Sequence, residues 1–234
     1  MSLKKAQLNI KNLKEIKKNI KKLSKTPKKV KIIAVTKTFS QSAILEAQKE
    51  GLCNIGENKV QETISKNIPK NKKLKIHFIG KLQSNKVKKA VEIYDIIQTV
   101  DRYKIAEKIN KEAEKIQKIQ QILIQVNISK SPTQSGIGLD NTERFIKDIF
   151  FMKNIKVIGL MSIGANTADV DIINGNYKEL NKKLSQIKKK YNHIKELSIG
   201  MTSDYKIALK NGSTFIRLGT ILFGNRQWKI KQYA

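Results

Sequence analysis

From residue 29 onward the chain alternates short β-rich runs with helical stretches, and this alternation restricts its possible folds more than any other feature. The runs Val30–Val35, Asn54–Glu57, Lys75–Ile79, Ile96–Val100, Ile122–Ile128, Val157–Ile163, Glu196–Gly200 and Phe215–Leu218 predict strands. Helical patterns lie between them at Gln41–Glu50, Lys59–Lys66, Asn85–Glu92, Tyr103–Lys118, Thr142–Met152, Asp171–Tyr191 and Asp204–Lys210. Eight strands with seven intervening helices, preceded by an extra helix, are the pattern of a parallel sheet. Eight such strands match a closed (β/α)8 TIM barrel of about 250 residues. The 234 residues then leave no room for a second substantial domain, so residues 1–234 are expected to form a single barrel domain. A doubly wound nucleotide fold is the competitor, but its fingerprint is missing. Gly136-Ile137-Gly138 begins like one, yet Asn141 stands where the third glycine belongs, and no GxxxxGK[ST] occurs.

Ahead of the first strand, Leu3, Ala6, Ile10, Leu13, Ile16, Ile20 and Leu23 recur at steps of three and four. Residues 2–24 therefore predict an amphipathic helix, ended by Thr26-Pro27. Such a helix could lie on a membrane surface. With no aromatic residue to anchor its apolar face, the expectation is a helix packed on the barrel with its lysines in water.

The formal net charge is +29, and of 48 basic residues only four are arginine. A dedicated nucleic-acid binder uses Arg for bidentate contacts and interleaves aromatics for stacking. Here aromatics are 6%, and the Lys excess accompanies abundant Ile and Asn, residues with AT-rich codons. The charge is read as largely compositional, which argues against specific nucleic-acid recognition. Cys53 alone cannot form an internal disulfide or a zinc thiolate cluster, and His77 and His193 are too few for a His-rich metal site. Neither a membrane span nor a signal peptide is evident. The expectation is a cytoplasmic protein.

In a barrel the residues just past the strands face the active side. Strand 1 delivers Lys37, and an amine at a partly desolvated barrel mouth favours the neutral form needed for a Schiff base. Gly200-Met201-Thr202-Ser203-Asp204 after strand 7, and Arg217-Leu218-Gly219-Thr220 closing strand 8, are candidate phosphate cradles. Their plainer reading is two turns, with a helix cap at Thr202 or Ser203. Together with the strand-1 lysine they suggest a phosphorylated carbonyl cofactor.

These residues belong to a longer series of ordered motifs. They are Ala34-Val35-Thr36-Lys37, Gly56-Glu57-Asn58, His77 to Lys86, Ser135-Gly136-Ile137, Gly159-Leu160-Met161, Leu197 to Asp204, Gly212-Ser213-Thr214 and Arg217 to Gly224. In this series the chain resembles the pyridoxal phosphate homeostasis proteins over essentially its whole length. The resemblance implies the barrel half of a bacterial alanine racemase, with pyridoxal 5′-phosphate (PLP) held by Lys37 as a Schiff base. It implies that Thr202, where the family usually has Ser, with Gly219 and Thr220, holds the phosphate. Arg217 would lie near the pyridine nitrogen, and Asn58 and Met161 near the ring or its approach. A cation beside that nitrogen disfavours its protonation and weakens the ring as an electron sink. The racemase's second acid–base residue is a Tyr supplied by an added β-domain and a dimer partner. Because the chain ends at Ala234, soon after strand 8, that domain is expected to be absent, which favours a monomer.

The resemblance thus implies a PLP carrier or regulator without an established reaction, serving PLP-dependent apo-enzymes as possible partners. The alternatives are a PLP-dependent racemase or decarboxylase, and a basic nucleic-acid-associated protein. Among the remaining motif residues, His77 is expected as a hydrogen-bonded core residue and Cys53 as a small core residue. Glu57 is either a base or the buried partner of a lysine or amide. The Lys81–Lys89 cluster is read as a solvated face rather than a second phosphate patch.

Overall fold

The computed structural model describes residues 6–69 and 71–224. Eight strands, β1 (Lys31–Val35), β2 (Asn54–Glu57), β3 (Lys75–Phe78), β4 (Ile96–Val100), β5 (Gln120–Gln125), β6 (Ile155–Met161), β7 (Glu196–Ser198) and β8 (Phe215–Leu218), pair in sequence order into a closed barrel. All pairings are parallel, and β8 returns to β1 through Lys31–Phe215 to Ala34–Leu218. The expected (β/α)8 barrel is the observed one. Around it run α2 (Gln41–Lys49), α3 (Val60–Ser65), α4 (Val87–Ile93), α5 (Tyr103–Lys115), α6 (Thr142–Ile149), α7 (Val170–Lys190), α8 (Tyr205–Lys210) and α9 (Thr220–Phe223).

The extra helix, α1, spans Ile10–Leu23 and is shorter than its apolar periodicity suggests. Residues 2–5 of the predicted helix lie outside the described residues. The described start is set by Asn9, whose side chain accepts from Asn12 N at 2.9 Å while its backbone takes an extended conformation. Asn9 N–H also donates to Leu222 O, which ties the cap to α9. The helix stops at Leu23, and Pro27 opens a separate 3-10 turn, Pro27–Lys29. As expected, Leu13, Ile16 and Ile20 are buried, in one apolar cluster with α2, α8 and α9. Burying each such side chain is worth about 1.5–3 kcal/mol, which explains why α1 lies on the barrel.

Two further departures have local causes. Strand β5 begins two residues before its predicted start and ends at Gln125, because the chain then pairs with itself. Ile137 N donates to Gln125 O and Asn127 N donates to Ile137 O, so the Ser135-Gly136-Ile137 motif folds back along the end of β5. Helix α9 was not anticipated, since four residues carry no helical period. Cys53 is half-buried at the start of β2 rather than in the core.

Inside the barrel the pleat turns alternate residues inward. Ile33 and Val35, Leu123, Met161 and Phe215 form an apolar cluster there. Among the described residues, no helix is long and apolar enough to cross a membrane, and no three His, Cys, Asp or Glu residues could hold a metal ion.

Replacing Asn9 by Ala removes the cap acceptor, and urea unfolding should show a loss of about 1 kcal/mol with an unchanged slope.

Candidate functional site

Five polar side chains, Arg217, Ser198, Gln98, His77 and Asn54, form one continuous hydrogen-bonded chain across the barrel. Arg217, buried in β8, donates through Nη1 to Ser198 Oγ and Ser198 O, and through Nη2 to Ser162 O, all at 2.8 Å. Because Ser198 Oγ accepts from Arg217, it donates onward to Gln98 Oε1 at 2.7 Å. Gln98 Nε2 then donates to His77 Nδ1 at 2.8 Å, leaving His77 Nε2 to donate to Asn54 Oδ1 at 3.0 Å. Every donor points the same way, and the pattern requires a neutral His77 with its proton on Nε2. Burial pulls the imidazole down to about 3 and outweighs the upward pull of Asp95, so neutrality and geometry agree. His77 is thus the hydrogen-bonded core residue expected.

Strand register places Lys37 and Asn58 together at the C-terminal mouth. Val35 pairs with Gly56, and both residues lie two positions further on. Lys37 is half-buried, in the turn after the inward-facing Ile33 and Val35. Asn58 Oδ1 is buried and takes no hydrogen bond. The Asn58 backbone is pressed against Gly80, just past β3, where a Cβ would stand 2.1 Å from Asn58 O, so no larger residue fits. Met161 ends β6 as a fully buried member of the interior cluster.

The two candidate cradles also meet. Arg217 N donates to Gly200 O at 2.9 Å, and Thr202 Oγ1 lies 3.4 Å from Ile221 N, joining the loop after β7 to the turn that opens α9. Gly200 has φ +92°, and a Cβ there would fall 2.5 Å from Ala208 Cβ. Neither Thr202 nor Ser203 caps α8; that position is Asp204, which makes no side-chain cap bond. Its carboxylate instead accepts from Met201 N at 2.6 Å and from Tyr177 of α7 at 2.5 Å, bracing the loop from behind. Burial and the adjacent Asp204 push the Tyr177 phenol well above its ordinary range. Gly219 is buried, Thr202 half-buried and Thr220 exposed at this junction. Beside it Arg217 puts a fixed cation, with burial pulling its proton affinity down and Tyr177 and Asp204 opposing.

All seven candidate residues therefore come from strand ends on one face of the barrel. Sequence reasoning missed Asn54, Gln98, Ser162 and Ser198, which hold Arg217 and His77. Asn54, Gln98 and Ser198 shared only inward parity on their strands as a signal, and Ser162, just past β6, acts through its backbone carbonyl and carried none. It also missed Tyr177, which lies on a helix, and Lys66, the lysine that pairs with Glu57. That pair is 2.6 Å apart with both side chains fully buried. In the Lys81–Lys89 cluster, Lys81, Lys88 and Lys89 are exposed and Lys86 is half-buried, as a solvated face requires.

The closed barrel, with Lys37 after β1 and the joined loops after β7 and β8, falls in the alanine racemase barrel class. The family model described as "Alanine racemase, N-terminal domain" matches residues 11–227. The "Pyridoxal phosphate homeostasis protein" of Aquifex aeolicus is 34% identical over 200 residues, 85% of this chain and 88% of that protein. The chain belongs to the pyridoxal phosphate homeostasis protein family. Among solved structures, PipY of Synechococcus elongatus is 31% identical and covers 89% of this chain and 100% of its own. Its TM-score is 0.80 without PLP and 0.77 with PLP bound. Alanine racemase of Clostridium difficile, 18% identical with a TM-score of 0.71, shares the fold over 98% of this chain and 60% of its own.

The buried imidazole has a pH consequence. His77 has a folded value near 3 against an ordinary 6.5, so the unfolded chain binds the extra proton first. Its contribution is intact above pH 6.5 and lost as pH falls toward 3, by up to about 1.4 kcal/mol per pH unit. Denaturant unfolding between pH 7 and 4.5 should show a shallower loss of stability for His77→Gln than for the parent.

Proposed function

We propose that this protein binds PLP at the C-terminal mouth of the barrel and holds it without turning over a substrate. The observation that carries the reading is the convergence of a half-buried lysine, a buried amide oxygen lacking a donor and two joined glycine loops beside a fixed guanidinium. When bound, PLP supplies an aldehyde that condenses with an amine and a phosphate that seeks N–H groups, hydroxyls and positive charge. The residues present fit both halves. Lys37 is the amine, at the end of a strand whose backbone is locked by β2 and β8. Thr202, Gly219 and Thr220 form the junction suited to the phosphate. Arg217 would lie near the pyridine nitrogen with a charge that cannot move, since three bonds at 2.8 Å hold it. Asn58 and Met161 stand at the ends of β2 and β6, where they would bound the ring.

The absence of turnover is supported by what the nearby acid–base groups are already doing. A racemase or decarboxylase needs a second group to move a proton at the substrate carbon. Among the described residues, His77 is fully buried and occupied on both nitrogens, and Tyr177 is fully buried and committed to Asp204. The Arg217 charge would also disfavour a protonated ring nitrogen. The role that remains is to shield the cofactor or pass it to PLP-dependent apo-enzymes, inside the cell and as a single chain.

The test is PLP addition followed by borohydride reduction and peptide mapping. Label on Lys37, absent in Lys37→Ala with the melting temperature little changed, is the expected result; label scattered over surface lysines would refute the site. Thr202→Ala should weaken retention several-fold, and Gly219→Asp more, through clash and charge repulsion. For turnover, exchange of the amino-acid α-proton with deuterated water is expected to stay at the level of free PLP, and sustained exchange above it would make the protein an enzyme.

A further inference from the structure

The turn that carries Lys37 is gripped on both sides by one buried charge cluster. Upstream, Thr36 is fully buried, its hydroxyl donating to Glu57 Oε1 at 2.5 Å and its carbonyl accepting from Lys66 Nζ at 2.9 Å. Downstream, Thr38 N–H donates to Glu62 Oε1. Lys66 Nζ joins the two carboxylates, 2.6 Å from Glu57 Oε1 and 3.0 Å from Glu62 Oε1. A single ammonium therefore gathers two carboxylates and a carbonyl, and every one of its partners is, or bonds, the residue before or after Lys37.

Stability alone is a poor reason for this arrangement. Desolvating a fully buried ion pair costs about as much as the pairing returns, and an apolar pair of similar volume often serves the fold as well or better. Here the cost is higher still, because Glu57 Oε2 is buried without a partner. What the cluster does provide is conformational control. Thr38 has φ +72°, a left-handed backbone that a β-branched residue adopts only when its surroundings enforce it. The enforcing contact is the Glu62 carboxylate on Thr38 N–H, and Lys66 holds that carboxylate in place from the end of α3.

We propose that Lys66, with Glu57 and Glu62, is a positioning clamp that sets the strained Thr36–Thr38 turn and so presents the Lys37 amine at the mouth before the cofactor arrives. The proposal rests on the reading of Lys37 as the cofactor lysine. These residues act through the backbone on either side of Lys37, with no role in bonding the cofactor themselves.

Glu62→Ala is the informative variant, because the Glu62 side chain is 15% exposed and its removal leaves the Glu57–Lys66 pair intact. In the protein without PLP, amide hydrogen exchange at residues 36–39 should rise about tenfold or more, while amides of β6 change little. The rate at which Lys37 captures PLP, read by borohydride trapping and peptide mapping, should fall by about tenfold with the loosened turn. Glu62→Gln retains an oxygen acceptor for Thr38 N–H and should recover most of both. Lys66→Met leaves a lone buried carboxylate and risks unfolding, so the neutral pair Glu57→Gln with Lys66→Met takes its place and should loosen the same amides. Unchanged exchange at residues 36–39, exchange raised uniformly through the barrel, or undiminished capture from a loosened turn would each overturn the clamp. A parent protein that labels no Lys37 would instead overturn the cofactor reading, and the exchange measurements would still decide whether the turn is held.

Discussion

The guanidinium of Arg217 is the point on which the interior of this barrel depends. A cation inside a closed sheet is tolerable only if its donors are satisfied. Here Nη1 and Nη2 donate to the ends of two neighbouring strands, through the carbonyls of Ser162 and Ser198, and to a side chain that passes the polarity onward. The remainder of the chain, through Gln98 and His77 to Asn54, follows from that first requirement, because each group that donates must also find an acceptor. A polar network of this kind is stabilising only when every member is paired, so it fixes one tautomer, one amide orientation and one rotamer at each step. The interior is therefore rigid by chemistry as well as by packing, and its cation stays in place whether or not a ligand sits above it.

Rigidity at the mouth arises differently, from close backbone approach and from bracing behind the loops. Gly80 admits the Asn58 carbonyl where any Cβ would collide, and Gly200 turns the chain into the space beside Ala208. Asp204, bonded to Met201 N and Tyr177, anchors the loop after β7 to the outer helical layer. On the other side α1 covers α8 and α9, and the Asn9 cap fastens to Leu222. The loops after β7 and β8 are thus both held from the solvent face of the barrel.

The architecture was readable because alternation of strand and helix is a long-range pattern that survives errors at each boundary. The same holds for the mouth residues, since strand ends share one face of a parallel barrel. What stayed hidden depends on contacts between distant positions. Gln98 and Ser198 are separated by 100 residues and look like ordinary polar residues in their own strands. The start of α1 was misplaced because the Asn9 capping side chain outweighs the helical spacing of Ala6 and Ile10. The length of β5 was misjudged because Ile137 competes for the acceptor that a longer strand would have used. Cys53 followed its residue type's usual burial, whereas its place at the start of β2 leaves it half-exposed.

Lysine makes the same point about composition. Most of the cations in a chain of net charge +29 are exposed, and their pairs with Glu and Asp at helix surfaces are worth little and are screened by salt. Lys66 and Lys37 are distinguished from that background by their positions in the barrel. Lys66 is withdrawn completely from water and becomes the counter-ion of a buried carboxylate. Lys37 is half-withdrawn at the end of a strand, where an amine is both accessible and held. Diffuse positive charge can draw an anion toward any part of the surface. Under the proposed function, retention at one place would rest on groups that are already fixed, namely Lys37 at its strand end, the strand-8 guanidinium and the joined loops beside it, rather than on the many lysines of the surface.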